Sequence, residues 1–237
     1  MTGQITLYSS KTCPWAQRTE ITLQESQLPY KRFEIGLKDK PEWYAPKINP
    51  ASKVPAIAYG GPNVPADQPS ASSHKIAESG VIIEFIADLS KDVQLLPKDP
   101  IQRAQARFFI QTVAYKVYES YFIPIKSGTD PASLLEAIQV LQDFLPSEGY
   151  AIGEWSIADA AVTPFLARAE VAFSNDLGTY EPGRGQAVWA KLEQEPQYER
   201  FRKYLADVKG RKSFQNTWDA EHMKNAYIGH FSRTSTA

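Results

Sequence analysis

Short strand-like and helix-like segments alternate along the first ninety residues, and after Pro100 only helix-like segments remain. That switch divides the chain into a small α/β domain and an all-helical one, because alternating elements build a layered sheet whereas uninterrupted helical periods build a bundle. Ile5 to Tyr8 reads as a strand, Pro14 to Ser26 as a helix, Tyr30 to Ile35 as a strand and Glu42 to Lys47 as a short helix. Val54 to Tyr59 and Lys75-Ile76 are the remaining strands, closed by a helix from Glu78 to Asp88. A β-α-β unit, a hairpin and a helix are therefore expected over residues 1–89, with the charged, Pro97-containing residues 90–99 as linker. Residues 100–237 carry the predicted helices Ile101 to Ile125, Pro131 to Leu145, Ile157 to Phe173, Ala187 to Glu195 and Gln197 to Val208, separated by Pro, Gly or Ser. The Gly-, Pro- and Ser-rich stretch from Gly60 to Ser73 offers no apolar face and is expected to be a mobile surface loop. The tail after Phe231 is expected to fray.

Charge and composition then exclude whole classes of partner. With 26 basic against 27 acidic residues, the chain has no electrostatic footprint for nucleic acid or for an anionic membrane. No apolar stretch approaches the length of a membrane span, and the amino terminus enters a strand without a leader pattern, so neither membrane nor export is expected. A single cysteine forms no internal disulfide framework, which fits a reducing, cytoplasmic compartment. His74, His222 and His230 are scattered, and none has ligand spacing to Cys13, so no metal site is expected and a cysteine-protease dyad has no local signature.

Cys13 stands in Thr12-Cys13-Pro14-Trp15-Ala16-Gln17-Arg18, directly after the first strand. A thiol where a strand turns into a helix meets unsatisfied backbone N–H groups and the positive end of the helix dipole, both of which stabilise thiolate. Pro14 presets the first helical turn, and Arg18, one turn on, adds positive field. The alternative is an inert buried thiol. With no second cysteine to resolve it, any disulfide of Cys13 must be with another molecule. Farther on, Ser156-Ile157-Ala158-Asp159 has the spacing of a capping box that starts a buried helix.

Cys13-Pro14-Trp15-Ala16-Gln17-Arg18 resembles the active-site segment of the omega class of cytosolic glutathione transferases, in which the cysteine is catalytic. Lys38-Asp39-Lys40-Pro41-Glu42-Trp43, Asn49-Pro50 with Val54-Pro55, Glu78-Ser79, Leu95-Leu96-Pro97 and the box at Ser156 follow in the family's order, over residues 4 to 210. The resemblance implies an α/β thioredoxin-like domain joined to an all-α domain. It also implies glutathione as co-substrate, without metal. Val54 would pair its main chain with the cysteinyl part of glutathione, and Pro55 would be the family's cis-proline. Glu78 and Ser79 would hold the γ-glutamyl end, using a helix N-terminus as anion site, and Lys40 would bind the glycyl end. Read without the resemblance, Lys40 is a solvated charge and Glu78-Ser79 a helix cap.

The acceptor side is less legible. Phe108, Gln111, Tyr115, Tyr118 and Phe122 recur at helical spacing, a pattern more typical of core than of pocket. Trp15, Tyr118, Tyr121, Phe122 and Trp218, the last from the final helical stretch, are the candidate acceptor-pocket residues. The loop at Gly60 to Ser73 and the C-terminal segment depart from the animal omega pattern and look closer to fungal members. The expected activity is thiol transfer through a Cys13–glutathione mixed disulfide, with dehydroascorbate reduction and deglutathionylation of aromatic ketones as sibling reactions. The alternatives are a protein that binds hydrophobic, polyphenol-like ligands, twelve tyrosines and five tryptophans permitting it, and a conjugating transferase using Ser9, Ser10 or Thr12. The family usually forms twofold dimers, so a homodimer is expected.

Overall fold

The computed structural model describes residues 3–231. Its chain forms two compact units, Met1–Leu96 and Pro97–Ala237. The predicted fraying of the tail after Phe231 lies outside the described residues.

The first unit is built on β1 (Ile5–Ser9), whose five residues are all buried. A strand buried on both faces belongs in the middle of a covered sheet. β1 pairs in parallel with β2 (Tyr30–Glu34) and antiparallel with β3 (Ala56–Tyr59), which pairs antiparallel with β4 (His74–Ala77). The sheet order is β2-β1-β3-β4. Alternation sorts the side chains between two layers. On one face Tyr8, Ala56 and Ala58 pack with Ile35 and with Tyr44 and Ile48, the pair that brackets the short helix α2 (Tyr44–Lys47). On the other, Ser9 bonds Glu20 of α1 (Pro14–Ser26) and Tyr59 meets Phe85 of α3 (Ser79–Leu89) edge to face. Each fully buried Leu or Ile in these layers contributes roughly 1.5–3 kcal/mol.

Differences from the sequence reading in this unit are local. The strand expected from Val54 starts at Ala56, because the Val54-Pro55 peptide is cis and Pro55 has no N–H for the ladder. The Gly60 to Ser73 loop lies at the surface, yet it is tied to the sheet: the Tyr8 hydroxyl donates to the Ala66 carbonyl at 2.8 Å, and Lys31 bonds both Asn63 and the Val64 carbonyl. Lys75 also gathers the Ser70 and Ser73 carbonyls around its ammonium group.

Among the described residues of the second unit, apart from isolated β-bridges between Tyr150 and Gly153 and between Ile152 and Glu154, the regular elements are helices: α4 (Pro100–Phe109), α5 (Tyr115–Ser127), α6 (Ser133–Phe144), α7 (Ile157–Ser174), α8 (Arg184–Gln194), α9 (Glu199–Gly210), the short α10 (Lys212–Gln215) and α11 (Ala220–Phe231). Asp99 caps α4, accepting from the Gln102 N–H at 2.8 Å, with Pro100 at the first helical position. The single long helix expected from Ile101 to Ile125 is continuous in path but carries a π-helical segment, Ile110–Ala114. One wide turn shifts the phase of everything after it relative to everything before it. Consequently Phe108, Gln111 and Tyr115 are exposed, against the core reading, while Tyr118 and Phe122 are half-buried.

At the centre runs α7, buried along almost its whole length. The capping box that begins it is present: the Ser156 N–H donates to Asp159 Oδ2 at 2.9 Å and the Ala158 N–H to Ser156 Oγ at 3.2 Å. Asp159 also accepts from the Ala151 N–H and from the Tyr204 hydroxyl, both at 2.8 Å. Burial pushes its carboxyl up to about 6, and those hydrogen bonds pull the other way. The helix expected from Ala187 begins at Arg184, after Gly183 with φ +82°, and the stretch from Gln197 splits into a 3₁₀ turn, Pro196–Tyr198, and α9.

Candidate active site

Cys13 occupies the position just before α1, with φ −83° and ψ 117°, so its own backbone is extended while its carbonyl already accepts the Gln17 N–H at 3.1 Å. Its N–H is satisfied by the Ser10 carbonyl at 3.0 Å, and Pro14 supplies the first helical residue. The partly exposed sulfur therefore lies at the positive end of a thirteen-residue helix, where thiolate is favoured. Its neighbour across the sheet end is Val54: the Cys13 Sγ stands 3.8 Å from the Val54 carbonyl oxygen.

The segment that carries Val54 is held from behind. Tyr44 Oη and Asn49 Nδ2 both donate to the Lys53 carbonyl, at 2.7 and 2.9 Å, while Asn49 Oδ1 accepts the Ala51 N–H at 3.1 Å. Burial, reinforced by Tyr8 and then Cys13, drives the ionisation of Tyr44 far above the ordinary phenol range, so its hydroxyl remains a donor. The edge on which an extended backbone could pair is thus rigid before any ligand arrives.

Glu78 makes the turn from β4 into α3 in a single residue, with φ +68° and ψ +111°. A non-glycine residue there is strained by about 1–3 kcal/mol, and such strain clusters at functional sites. Its carbonyl accepts the Ile82 N–H at 2.9 Å, and its exposed side chain stands at the mouth of α3. Ser79 opens that helix and is buried, and Arg18 Nη2 donates to its Oγ at 2.6 Å. Arg18 is only 2% exposed, and its guanidinium lies 4.6 Å over the Trp15 ring. Lys40 is half-buried in the loop between β2 and α2. The conjugation candidates fare less well, because the Ser9 hydroxyl is buried on Glu20 and Ser10 is buried 3.5 Å from Thr12.

In the helical unit Tyr118 stacks on Phe122 at 5.1 Å and meets Phe165 at 5.3 Å, and Phe122 reaches Phe231 at 6.1 Å. Tyr121 is 1% exposed and shares a hydrogen bond with Tyr227, so it belongs to the core and offers no open surface as a pocket wall. Trp218 lies in the connection between α10 and α11 rather than in a helix, 5.2 Å over the buried Arg168 guanidinium. Separately, Phe108 and Phe144 line a cavity of about 750 Å³ with Ile101, Leu145 and Ile152.

Residues 12–89 match the family described as Glutathione S-transferase, N-terminal domain. The crystal structure of glutathione transferase Omega 1C from Trametes versicolor is 47% identical and superposes with a TM-score of 0.94, covering 98% of this chain and 99% of that one. The chain belongs to the omega class of glutathione transferases. Omega 2S from the same organism, solved in complex with 2,4-dihydroxybenzophenone, is 39% identical with a TM-score of 0.88, covering 96% of this chain and 97% of that one. Glutathione S-transferase omega-1 of Mus musculus is 30% identical over 139 residues, 58% of this chain, and the match spans about half of that relative's length (52%).

For this omega-class chain the structure brings Cys13 and Val54 together and joins Glu78-Ser79 to α1 through Arg18. The sequence makes Arg18 a source of positive field near Cys13; the structure adds that its guanidinium donates to Ser79 Oγ and lies over Trp15. Tyr44 and Asn49 were missed as supports of Val54, although Asn49-Pro50 carried a signal: a short amide before a proline favours a turn closed on its own backbone. Arg168, buried in α7, is absent from the sequence reading too, and its being the single arginine of that mostly apolar helix is the available hint. Among the described residues no group of His, Cys, Asp or Glu could hold a metal ion, and no helix is long and apolar enough to cross a membrane.

Proposed function

We propose that this chain is a glutathione-dependent thiol transferase acting through Cys13. The observation that carries the reading is the Cys13 sulfur at the start of α1, 3.8 Å from the Val54 carbonyl. Val54 pairs its main chain with the cysteinyl residue of glutathione, as a sheet edge pairs an added strand. Ser79 and the first turn of α3 take the γ-glutamyl carboxylate, Glu78 takes the amine, and Lys40 meets the glycyl carboxylate. Cys13 thiolate attacks the glutathione sulfur of a mixed disulfide; the S–S bond breaks, the released thiolate takes a proton, and Cys13-S-S-G forms. A second glutathione thiolate attacks that adduct, giving oxidised glutathione and regenerating Cys13. Dehydroascorbate reduction and release of glutathione from aromatic ketones use the same adduct.

In this reading the glutathione domain is 1–89, the linker 90–99 and the acceptor domain 100–237, with Trp15, Tyr118, Phe122 and Trp218 contacting the acceptor. The protein works in the cytoplasm as a homodimer, so a monomeric mass in solution would remove that part. Incubation with oxidised glutathione tests the central step: intact mass spectrometry should find one glutathione adduct, mapped to Cys13 and removed by reductant. No adduct would overturn the mechanism.

A second reading, storage or transport of aromatic ligands, is supported by the cavity at Phe108 and Phe144, whose volume of about 750 Å³ suits a drug-sized molecule. The benzophenone complex of Omega 2S lends the ligand class. Micromolar binding of 2,4-dihydroxybenzophenone that Phe108→Ala abolishes, with negligible thiol transfer, would favour it over catalysis.

A further inference from the structure

We propose that Tyr44 and Asn49 are positioning residues that set the reactivity of Cys13 through the Val54 carbonyl, and that glutathione binding releases the thiol from that carbonyl. The inference rests on the glutathione site proposed above and names how that site is regulated.

The geometry has two linked parts. The carbonyl of Lys53 and the N–H of Val54 belong to one planar peptide and point in opposite directions. Two donors on the Lys53 oxygen, Tyr44 Oη at 2.7 Å and Asn49 Nδ2 at 2.9 Å, therefore fix where the Val54 N–H points. The following carbonyl, that of Val54, is the one facing the Cys13 sulfur at 3.8 Å. An S–H donating to a carbonyl is stabilised in its neutral form, whereas a thiolate at the same place meets the negative end of the C=O dipole. The free protein thus sets two influences against each other: the N-terminus of α1 favours thiolate, and the Val54 oxygen favours thiol.

An extended peptide pairing with Val54 changes that balance. Its N–H becomes the donor to the Val54 oxygen, the S–H loses its acceptor, and the proton leaves to solvent, so the helix N-terminus acts unopposed. The charged or titratable groups on the elements around Cys13 include Lys11 ahead of α1, Arg18, Glu20 and Glu25 on α1, Tyr8 on β1, Tyr44 and Lys47 on α2, Lys53 beside Val54 and Glu78 before α3, with Glu20 bonded to Ser9 and Arg32. Arg18 is engaged with Ser79, and both tyrosines are held neutral by burial, Tyr8 at about 12 and Tyr44 higher still. Removing the Tyr44 hydroxyl therefore removes a hydrogen bond and no charge.

The test is the pH profile of Cys13 alkylation by iodoacetamide, measured with and without S-methylglutathione, an analogue with no reactive thiol. Its binding is measured independently by calorimetry. Bound analogue should lower the alkylation midpoint by roughly 0.5–1 pH unit, the scale of one weak hydrogen bond. In Tyr44→Phe the midpoint of the free protein should already have moved part of that way, and the analogue-induced shift should shrink by about half or more. Asn49→Ala should act in the same direction, and thermal melts identify any variant that has not folded. Analogue that binds without moving the midpoint overturns this proposal and leaves the glutathione site standing. Analogue that does not bind overturns both. A Tyr44→Phe protein, folded, with both midpoints at their wild-type values would show that the clamp does not position the carbonyl.

Discussion

The two units place their proposed functional groups by opposite means. In the α/β unit the site is mostly backbone: the Val54 carbonyl, the amides that open α1 and α3, and the strained turn at Glu78. In the helical unit the proposed acceptor groups are side chains: Tyr118 packs on Phe122 and on the buried Phe165, Phe122 meets Phe231, and Trp218 lies against the buried Arg168. Backbone groups cannot be exchanged by single substitutions, but aromatic side chains can. On the function proposed above, one unit would hold a constant ligand, and the other could change what it accepts without altering the first.

The largest effect that would sharpen this contrast comes from the one side chain on which the proposed mechanism depends chemically. Cys13→Ser should lower thiol transfer from a glutathionylated peptide by about three orders of magnitude or more, with glutathione affinity kept within a few-fold. Retained transfer would break the comparison, because the reacting atom would then lie elsewhere.

A smaller, opposite-facing effect belongs to the helical unit alone. The folded carboxyl of Asp159 titrates at about 6, above the ordinary 3.8 of an unfolded aspartate. Between those values the native state binds more protons than the unfolded one, so this group's contribution to stability is full below pH about 4 and is lost as pH rises through 6. The stability of Asp159→Asn, measured by urea unfolding across that range, should lack this downward slope, at the expense of the hydrogen bonds that a neutral amide cannot all accept. Identical slopes in both proteins would mean that another group governs the pH response.

Next in size is Arg18→Met, which keeps a long apolar side chain but removes the guanidinium that lies over Trp15 and donates to Ser79. Glutathione should bind roughly tenfold more weakly, the scale of one charge-assisted hydrogen bond, and the rate of Cys13 alkylation in the free protein should stay near that of the wild type. A large fall in alkylation instead would make Arg18 an activator of the thiol. The smallest effect is expected from Tyr118→Ala, which should change affinity for an aromatic acceptor several-fold, as loss of one ring contact does, while leaving glutathione binding unchanged. Coupled changes in both ligands would show that the two units do not divide the work.

Legibility followed the range of each interaction. The strand-helix junction at Cys13 and the box at Ser156 are signals written within a few residues, and the chain folds as they indicate. The π segment Ile110–Ala114 has no comparable local mark, which is why Phe108 and Tyr118 read as one face although the structure separates them. Tyr121 was misplaced for a related reason: helical spacing puts it near Tyr118, but only packing against Tyr227 and Arg168 decides that it is core.

By itself the sequence determined the division into an α/β and a helical part, the place of its single cysteine at a helix start and the start of the central helix, because periodicity, capping and the helix dipole act over one or two turns. Only the tertiary structure decided that the Val54 carbonyl faces a sulfur 41 residues away and that Arg18 reaches across 61 residues to Ser79. Those contacts depend on how the sheet and helices pack, and packing is settled by the whole set of buried side chains together.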